Sequence, residues 1–166
     1  LRMEGKYHFY SKDDTRPDIP SPHVHVAFEM EDGSRLDYHD VRKFGRMEIL
    51  AKDNLTDYFE EKGLGPEPYS DTFELLEFQQ GLTTTNRAIK PALLDQGLVA
   101  GLGNIYVDEV LYRAGIHPSR PASSLNEKEA YDLHQAILII MQDAIEAGGS
   151  SVRTYKNALG QAGTYQ

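Results

Sequence analysis

The sequence predicts an α+β protein with its strands gathered first and its helices second. Three observations carry that expectation. Apolar and polar residues alternate through the early part of the chain, the period-2 pattern of half-buried strands. The Gly- and Pro-dense stretch Gly63-Leu64-Gly65-Pro66-Glu67-Pro68 then interrupts any regular element. Beyond it, apolar residues recur at helical spacing, most plainly Ala130, Leu133, Ile137, Ile140, Met141 and Ala144. Strands in one run and helices in the next is the order of an α+β chain.

Each element has its own signal. Tyr7 and Phe9 suggest a first strand, and Ser11–Pro22, rich in Asp and Pro, reads as an exposed loop. Val24, Val26, Phe28 and Met30 point one way while His23, His25 and Glu29 point the other. Asp32-Gly33 supplies the positive φ of a tight hairpin turn, and the return strand sets Leu36 and Tyr38 against Arg35, Asp37 and His39. Met47 and Ile49 suggest a further strand. So few strands with apolar faces need partners to cover them, and residues upstream of Leu1 are expected. Asn54 is placed to cap a short helix bearing Leu55, Tyr58 and Phe59.

After the Gly/Pro stretch, Asp71 and Glu74 mark the start of a helix carrying Phe73, Leu76 and Phe78. Lys90-Pro91 opens a helix over Ala92–Gln96 that stops at Gly97. Gly101-Leu102-Gly103 makes a tight turn, and Asn104 is placed to cap the helix Ile105–Ala114, which Gly115 ends. Ser124 with Glu127 forms a capping box for the long helix to Ala147, and Ala158–Gln166 reads as a loop. The expected division is residues 1–62 as the strand-rich part, 63–70 as a linker and 71–166 as the helical part.

Composition narrows the function. The 166 residues include 17 Lys+Arg against 26 Asp+Glu, a net charge of −9, which argues against binding a polyanion over the whole surface. A local basic patch stays possible on such a chain. Zero cysteine excludes disulfides, thiolate zinc sites and cysteine nucleophiles within it. The longest apolar run, Ala136–Met141, is far short of the roughly 18 residues of a membrane span. No secretory signal opens the chain, so a cytoplasmic address is expected.

Two constellations stand out. Two short helices joined by a glycine turn can aim backbone amides and the Asn104 side chain at one anion, with Lys90 adding a point charge. The competing reading makes Asn104 only a cap and the glycines only packing positions. The second constellation is Tyr38-His39-Asp40-Val41-Arg42-Lys43-Phe44-Gly45-Arg46, where Arg42, Lys43 and Arg46 bracket an aromatic. Guanidinium and ring together suit a phosphate or base edge and a base step. A solvated turn with Phe44 tucked into the sheet is the alternative. His23 and His25 sit at a spacing metal ligands can use, but no carboxylate lies obviously beside them, which favours a solvent-facing or phosphate-contacting role. His134, beside the apolar stripe of the long helix, reads as a packed structural residue.

At these residues the chain resembles the formamidopyrimidine-DNA glycosylases, bifunctional bacterial enzymes that remove oxidised purines and nick the abasic site. The resemblance runs nearly end to end: Leu1-Arg2-Met3-Glu4-Gly5, the Tyr38–Arg46 run, Leu64–Pro68, and above all Ala88–Gln96 followed by Val99–Glu109, which looks like the family's helix–two-turn–helix. It implies the C-terminal part of an N-terminal β-sandwich followed by a helix–two-turn–helix domain. It also implies base-excision repair on damaged double-stranded DNA, by base flipping and β,δ-elimination. Met3, Arg42 and Phe44 match the three void-filling residues, with Arg42 facing the orphaned cytosine. His23, Lys90 and Asn104 match DNA contacts. Asn86 stands where the family often has a basic contact, and Arg87 is a candidate substitute. Gly160, Gly163, Thr164 and Tyr165 fall in the lesion-recognition loop.

The departures from the family pattern are informative too. The family's N-terminal proline nucleophile, its following glutamate and a further lysine have no counterpart here, nor has the C-terminal four-cysteine zinc finger with its arginine. The expectation is the middle of an enzyme, without a catalytic residue, cofactor or metal of its own. A single structural zinc belongs to the parent's finger, and the parent acts as a monomer. A bare sheet edge leaves the piece able to self-associate. The runners-up are an endonuclease VIII-like enzyme for oxidised pyrimidines and a non-enzymatic nucleic-acid-binding module. The combined Met3, Arg42 and Phe44 set favours the purine branch.

Overall fold

The structure, a computed structural model, describes residues 5–15 and 21–149. Strands come first and helices second, as expected for α+β. Contacts divide the chain into two compact units, one running from Leu50 to Asp143 and the other made of the residues up to Ile49 with those from Ala144 onward.

In the first unit, β1 (Lys6–Tyr10), β2 (Val24–Glu29) and β3 (Arg35–His39) form an antiparallel sheet in the order β1-β3-β2. The β2–β3 hairpin closes as the sequence indicates. Gly33 takes φ +83°, its amide donates to the Met30 carbonyl, and the Asp32 carboxylate accepts from the Ser34 amide and hydroxyl. One expectation fails in β2. An irregularity between Val24 and Val26 pairs Val24 with His39 but Val26 with Tyr38. Cross-strand partners share a face, so the bulge turns Val24 away from Val26 and Phe28. The apolar face therefore carries Tyr7, Phe9, Val26, Phe28, Leu36 and Tyr38, and the polar face His8, Asp37 and His39. The Tyr7 and Tyr38 rings meet at 5.5 Å on one side, and the His8 and His39 rings at 4.5 Å on the other, both pairs tilted. Burial, with His8 close by, holds the His39 imidazole below its ordinary value. The strand expected at Met47 and Ile49 does not form, since no partner strand pairs with it among the described residues.

The second unit is built from α1 (Leu55–Glu61), α2 (Leu75–Thr83), α3 (Ile89–Leu94), α4 (Asn104–Ala114) and α5 (Glu127–Glu146, whose last residues belong with the first unit). Its core is mostly aliphatic, with Ile89, Leu93, Val99, Val107, Leu133 and Ile137 sealed from solvent and Phe73 and Phe78 buried beside them. Helix ends are where the sequence reading needs most correction. Asn54 occupies the cap position of α1 without a side-chain bond, because a 3-10 turn over Lys52–Asn54 leads into the helix. Phe73 precedes α2 instead of riding on it. Its ring stacks on buried His134 at 4.4 Å, and its carbonyl lies 3.1 Å from His134 Nε2. The expected Ser124–Glu127 box is displaced by two residues. The Asn126 amide donates to Glu129 at 2.9 Å and the Glu129 amide to Asn126 Oδ1 at 2.9 Å. Ser124 lies in a 3-10 turn and accepts from Arg120 Nε instead.

The corner between α3 and α4 also differs from expectation. α3 starts at Ile89, so Pro91 falls within its first turn, where a missing N–H costs little. The left-handed residue that ends it is Gln96, at φ +65°, and not Gly97. Gln96 is held there by its own amide, which donates to the Leu102 carbonyl at 2.7 Å and accepts from the Gly101 amide at 2.8 Å. The close approach at this corner requires Gly65 instead. A Cβ on Gly65 would lie 2.4 Å from the Gly97 carbonyl oxygen. The Gly/Pro stretch is thereby fastened to the corner, with Gly65 donating to Gln96 and Ala100 to Pro66.

Candidate nucleic-acid interface

Each unit presents one candidate surface. In the second unit, Gly103 and not Asn104 takes the cap position of α4, with no side-chain cap bond. Asn104 becomes the first helical residue and is exposed. A helix start that no side chain caps is the geometry in which backbone amides meet an anion. Lys90, on α3, extends to α4 and pairs with Asp108 at 2.7 Å. Asp108 lies one turn beyond Asn104, so the bridge holds the ammonium against the face of α4 that carries Asn104. The start of α3 is already occupied: the Ile89 amide donates to Arg120 and the Lys90 amide to Pro118. Arg87 is committed as well, pairing with Asp95 and donating to the Pro91 carbonyl at 3.2 Å. Asn86 is exposed and accepts from Ser123 Oγ at 3.4 Å.

In the first unit, Arg42 and Phe44 lie on the exposed loop after β3, with the Arg42 guanidinium 4.7 Å above the Phe44 ring. Phe44 is 48% exposed, so the alternative of a ring tucked into the sheet does not hold. Beneath the loop sits Asp40, 1% exposed. Its Oδ1 accepts the amides of Arg42 at 3.1 Å and Lys43 at 3.0 Å. Its Oδ2 accepts the Gly45 amide at 2.7 Å and the Tyr38 hydroxyl at 3.0 Å. These bonds, the Gly45 amide foremost, hold the Asp40 carboxyl below the usual carboxylate range. Burial and the neighbouring Asp40 push the Tyr38 phenol up. Lys43 takes φ +56°, an uncommon conformation for a side-chain-bearing residue, and the turn depends on it.

His23, exposed, precedes β2, and its carbonyl accepts the Asp40 amide at 3.0 Å. His25, at the bulge, places Nε2 2.9 Å from the Asp40 carbonyl. Among the described residues no group of three His, Asp or Glu side chains could hold a metal ion. Met3, Gly160, Gly163, Thr164 and Tyr165 lie outside the described residues.

Sequence reasoning singled out Arg42, Phe44, Lys90 and Asn104 but missed Asp40 and Gln96, which hold the two loops in place. For Asp40 a signal existed, since an Asp at a strand end followed by a turn is a common acceptor of the next amides.

The family model described as "Formamidopyrimidine-DNA glycosylase H2TH domain" matches residues 64–156, more than half of the chain. The chain belongs to the formamidopyrimidine-DNA glycosylase family. A second model, for the N-terminal domain of the same enzymes, matches residues 1–47. Among curated proteins, the formamidopyrimidine-DNA glycosylase of Enterococcus faecalis is 54% identical over all of the chain, which spans 58% of that protein. The solved Lactococcus lactis Fpg, in complex with DNA containing an abasic site, is 46% identical with a TM-score of 0.87 over 99% of this chain and 58% of its own. A MutM structure with DNA containing carbocyclic 8-oxo-G is similar at a TM-score of 0.86 and 44% identity. In this family setting, no helix among the described residues is long and apolar enough to cross a membrane.

Proposed function

We propose that this chain is the DNA-gripping and duplex-probing part of a base-excision repair enzyme that flips out and excises oxidised purines. The observation that carries the reading is the exposed Arg42–Phe44 pair, a cation stacked on an aromatic at the tip of a loop pinned by a buried carboxylate. Such a pair suits insertion into a duplex. The ring occupies a base step and the guanidinium meets the base left without a partner, offsetting part of the few kcal/mol that unstacking costs. Related proteins solved on abasic-site and 8-oxo-G DNA support this class of ligand.

In this reading Lys90, Asn104 and His23 contact phosphates, Asn86 or in its place Arg87 adds a further DNA contact, and Met3 belongs to the void-filling set. Gly160, Gly163, Thr164 and Tyr165 are assigned to recognition of the extruded base. The domains are a partial sandwich over residues 1–62, a connection over 63–70 and the helix–two-turn–helix domain over 71–166. Phosphate contacts set position, and the inserted side chains read the opposing base.

Bond breaking at the sugar, by amine attack and β,δ-elimination at the abasic site, belongs to residues outside this chain. The structural zinc belongs outside it too, since the chain has no cysteine. The whole protein acts in the cytoplasm as a monomer. Borohydride trapping on abasic DNA tests the division. The chain is expected to bind the duplex without a covalent adduct, and a trapped adduct would overturn the assignment.

A further inference from the structure

We infer that Asp40 is a positioning residue for the duplex probe, fixing the backbone that carries Arg42 and Phe44 and thereby setting discrimination of the base opposite the lesion. The inference rests on the reading of Arg42 and Phe44 just given and extends it to a residue that touches no DNA.

The geometry is specific. One buried carboxylate accepts three successive-turn amides, from Arg42, Lys43 and Gly45, and the Tyr38 hydroxyl as well. Asp40 is itself anchored at both ends, its amide donating to His23 and its carbonyl lying against His25 Nε2. The loop therefore hangs from a fixed anchor: the Arg42 and Lys43 amides share one carboxylate oxygen, and the left-handed Lys43 then redirects the chain that leads on to Gly45 on the other. Gly45 is required at the far end, because a Cβ there would lie 1.7 Å from Tyr38 Oη. An Asp is the side chain that fits. Asn would turn an NH₂ group toward a donor, and Glu would carry the carboxylate one methylene too far.

A purely structural Asp40 and a positioning Asp40 predict different things. Loss of a structural residue weakens every duplex alike and does so whether or not Arg42 is present. Loss of a positioning residue acts through Arg42, so the two substitutions are not additive.

The test is a double-mutant cycle on the chain, with Kd measured for duplexes carrying an abasic-site analogue opposite cytosine and opposite adenine. The wild type is expected to prefer the cytosine duplex. Asp40→Asn is expected to bring the ratio of the two Kd values toward one, as Arg42→Ala does, and to change that ratio no further when added to Arg42→Ala. An unchanged ratio in Asp40→Asn, or the same loss on both backgrounds, overturns the inference while leaving the Arg42 reading standing. A wild type that binds both duplexes equally overturns the Arg42 reading and this inference with it. Amide exchange of the wild type gives a second test that needs no variant. Protection at Arg42, Lys43 and Gly45 is expected, and fast exchange at all three contradicts the clamp.

Discussion

A methyl group on Gly45 would meet the Tyr38 hydroxyl oxygen at 1.7 Å and an Asp40 carboxylate oxygen at 3.1 Å, so alanine there must displace either the ring or the loop. Gly45→Ala should lower stability by about 1–3 kcal/mol, the usual cost of overpacking a filled site, read as a fall in the urea midpoint. The Asp40 carboxyl gives a second prediction at this scale. Its value in the folded protein lies below the unfolded one, so its contribution is fully present above the ordinary carboxylate value near 4. That contribution is lost as pH falls through the depressed value. Opposite-base discrimination should therefore be flat from pH 7 to about 5, and a loop collapse in that window, seen by amide exchange, would be inconsistent with the clamp. Arg42 and Phe44 were legible because charge and aromaticity stand out in a sequence. Asp40 carried only the weaker mark of an Asp at a strand end before a turn, since a buried acceptor and a solvated carboxylate are written with the same letter.

At the scale of elements, the helices were legible but their ends moved. Apolar spacing marks the middle of a helix, whereas ends depend on which polar side chain reaches a backbone amide. Both Ser124 and Asn126 satisfy that rule locally, and the reciprocal bond between Asn126 and Glu129 decides for the second. Asn126→Ala should cost about 1 kcal/mol in thermal or chemical unfolding, with Ser124→Ala costing less. The α3–α4 corner follows the same logic. Glycine was expected at the left-handed position, but Gln96 occupies it by bonding across the turn to Leu102 and Gly101. Across that corner, Asp108 neutralises the lysine assigned to DNA. Asp108→Asn should tighten binding to lesion and undamaged duplexes by the same factor. It should also steepen the salt dependence by about one phosphate contact, both read from Kd against salt concentration.

For the whole molecule, a net charge of −9 means that binding to DNA has to come from a few placed cations and not from the overall field. That fits two small presentations, one on each unit, in place of a broad basic surface. The order of strands and helices could be read from periodicity, and the family from the long run through Ala88–Glu109. The β2 bulge could not, because a one-residue register change leaves no mark on the alternation until pairing is seen. The most direct test of the division of labour compares Arg42→Ala with Lys90→Ala on a duplex with an abasic-site analogue opposite cytosine and on its undamaged counterpart. Arg42→Ala should weaken binding to the lesion duplex and leave the undamaged one nearly unchanged, while Lys90→Ala weakens both by the same factor. Equal losses on both duplexes from the two variants would contradict it.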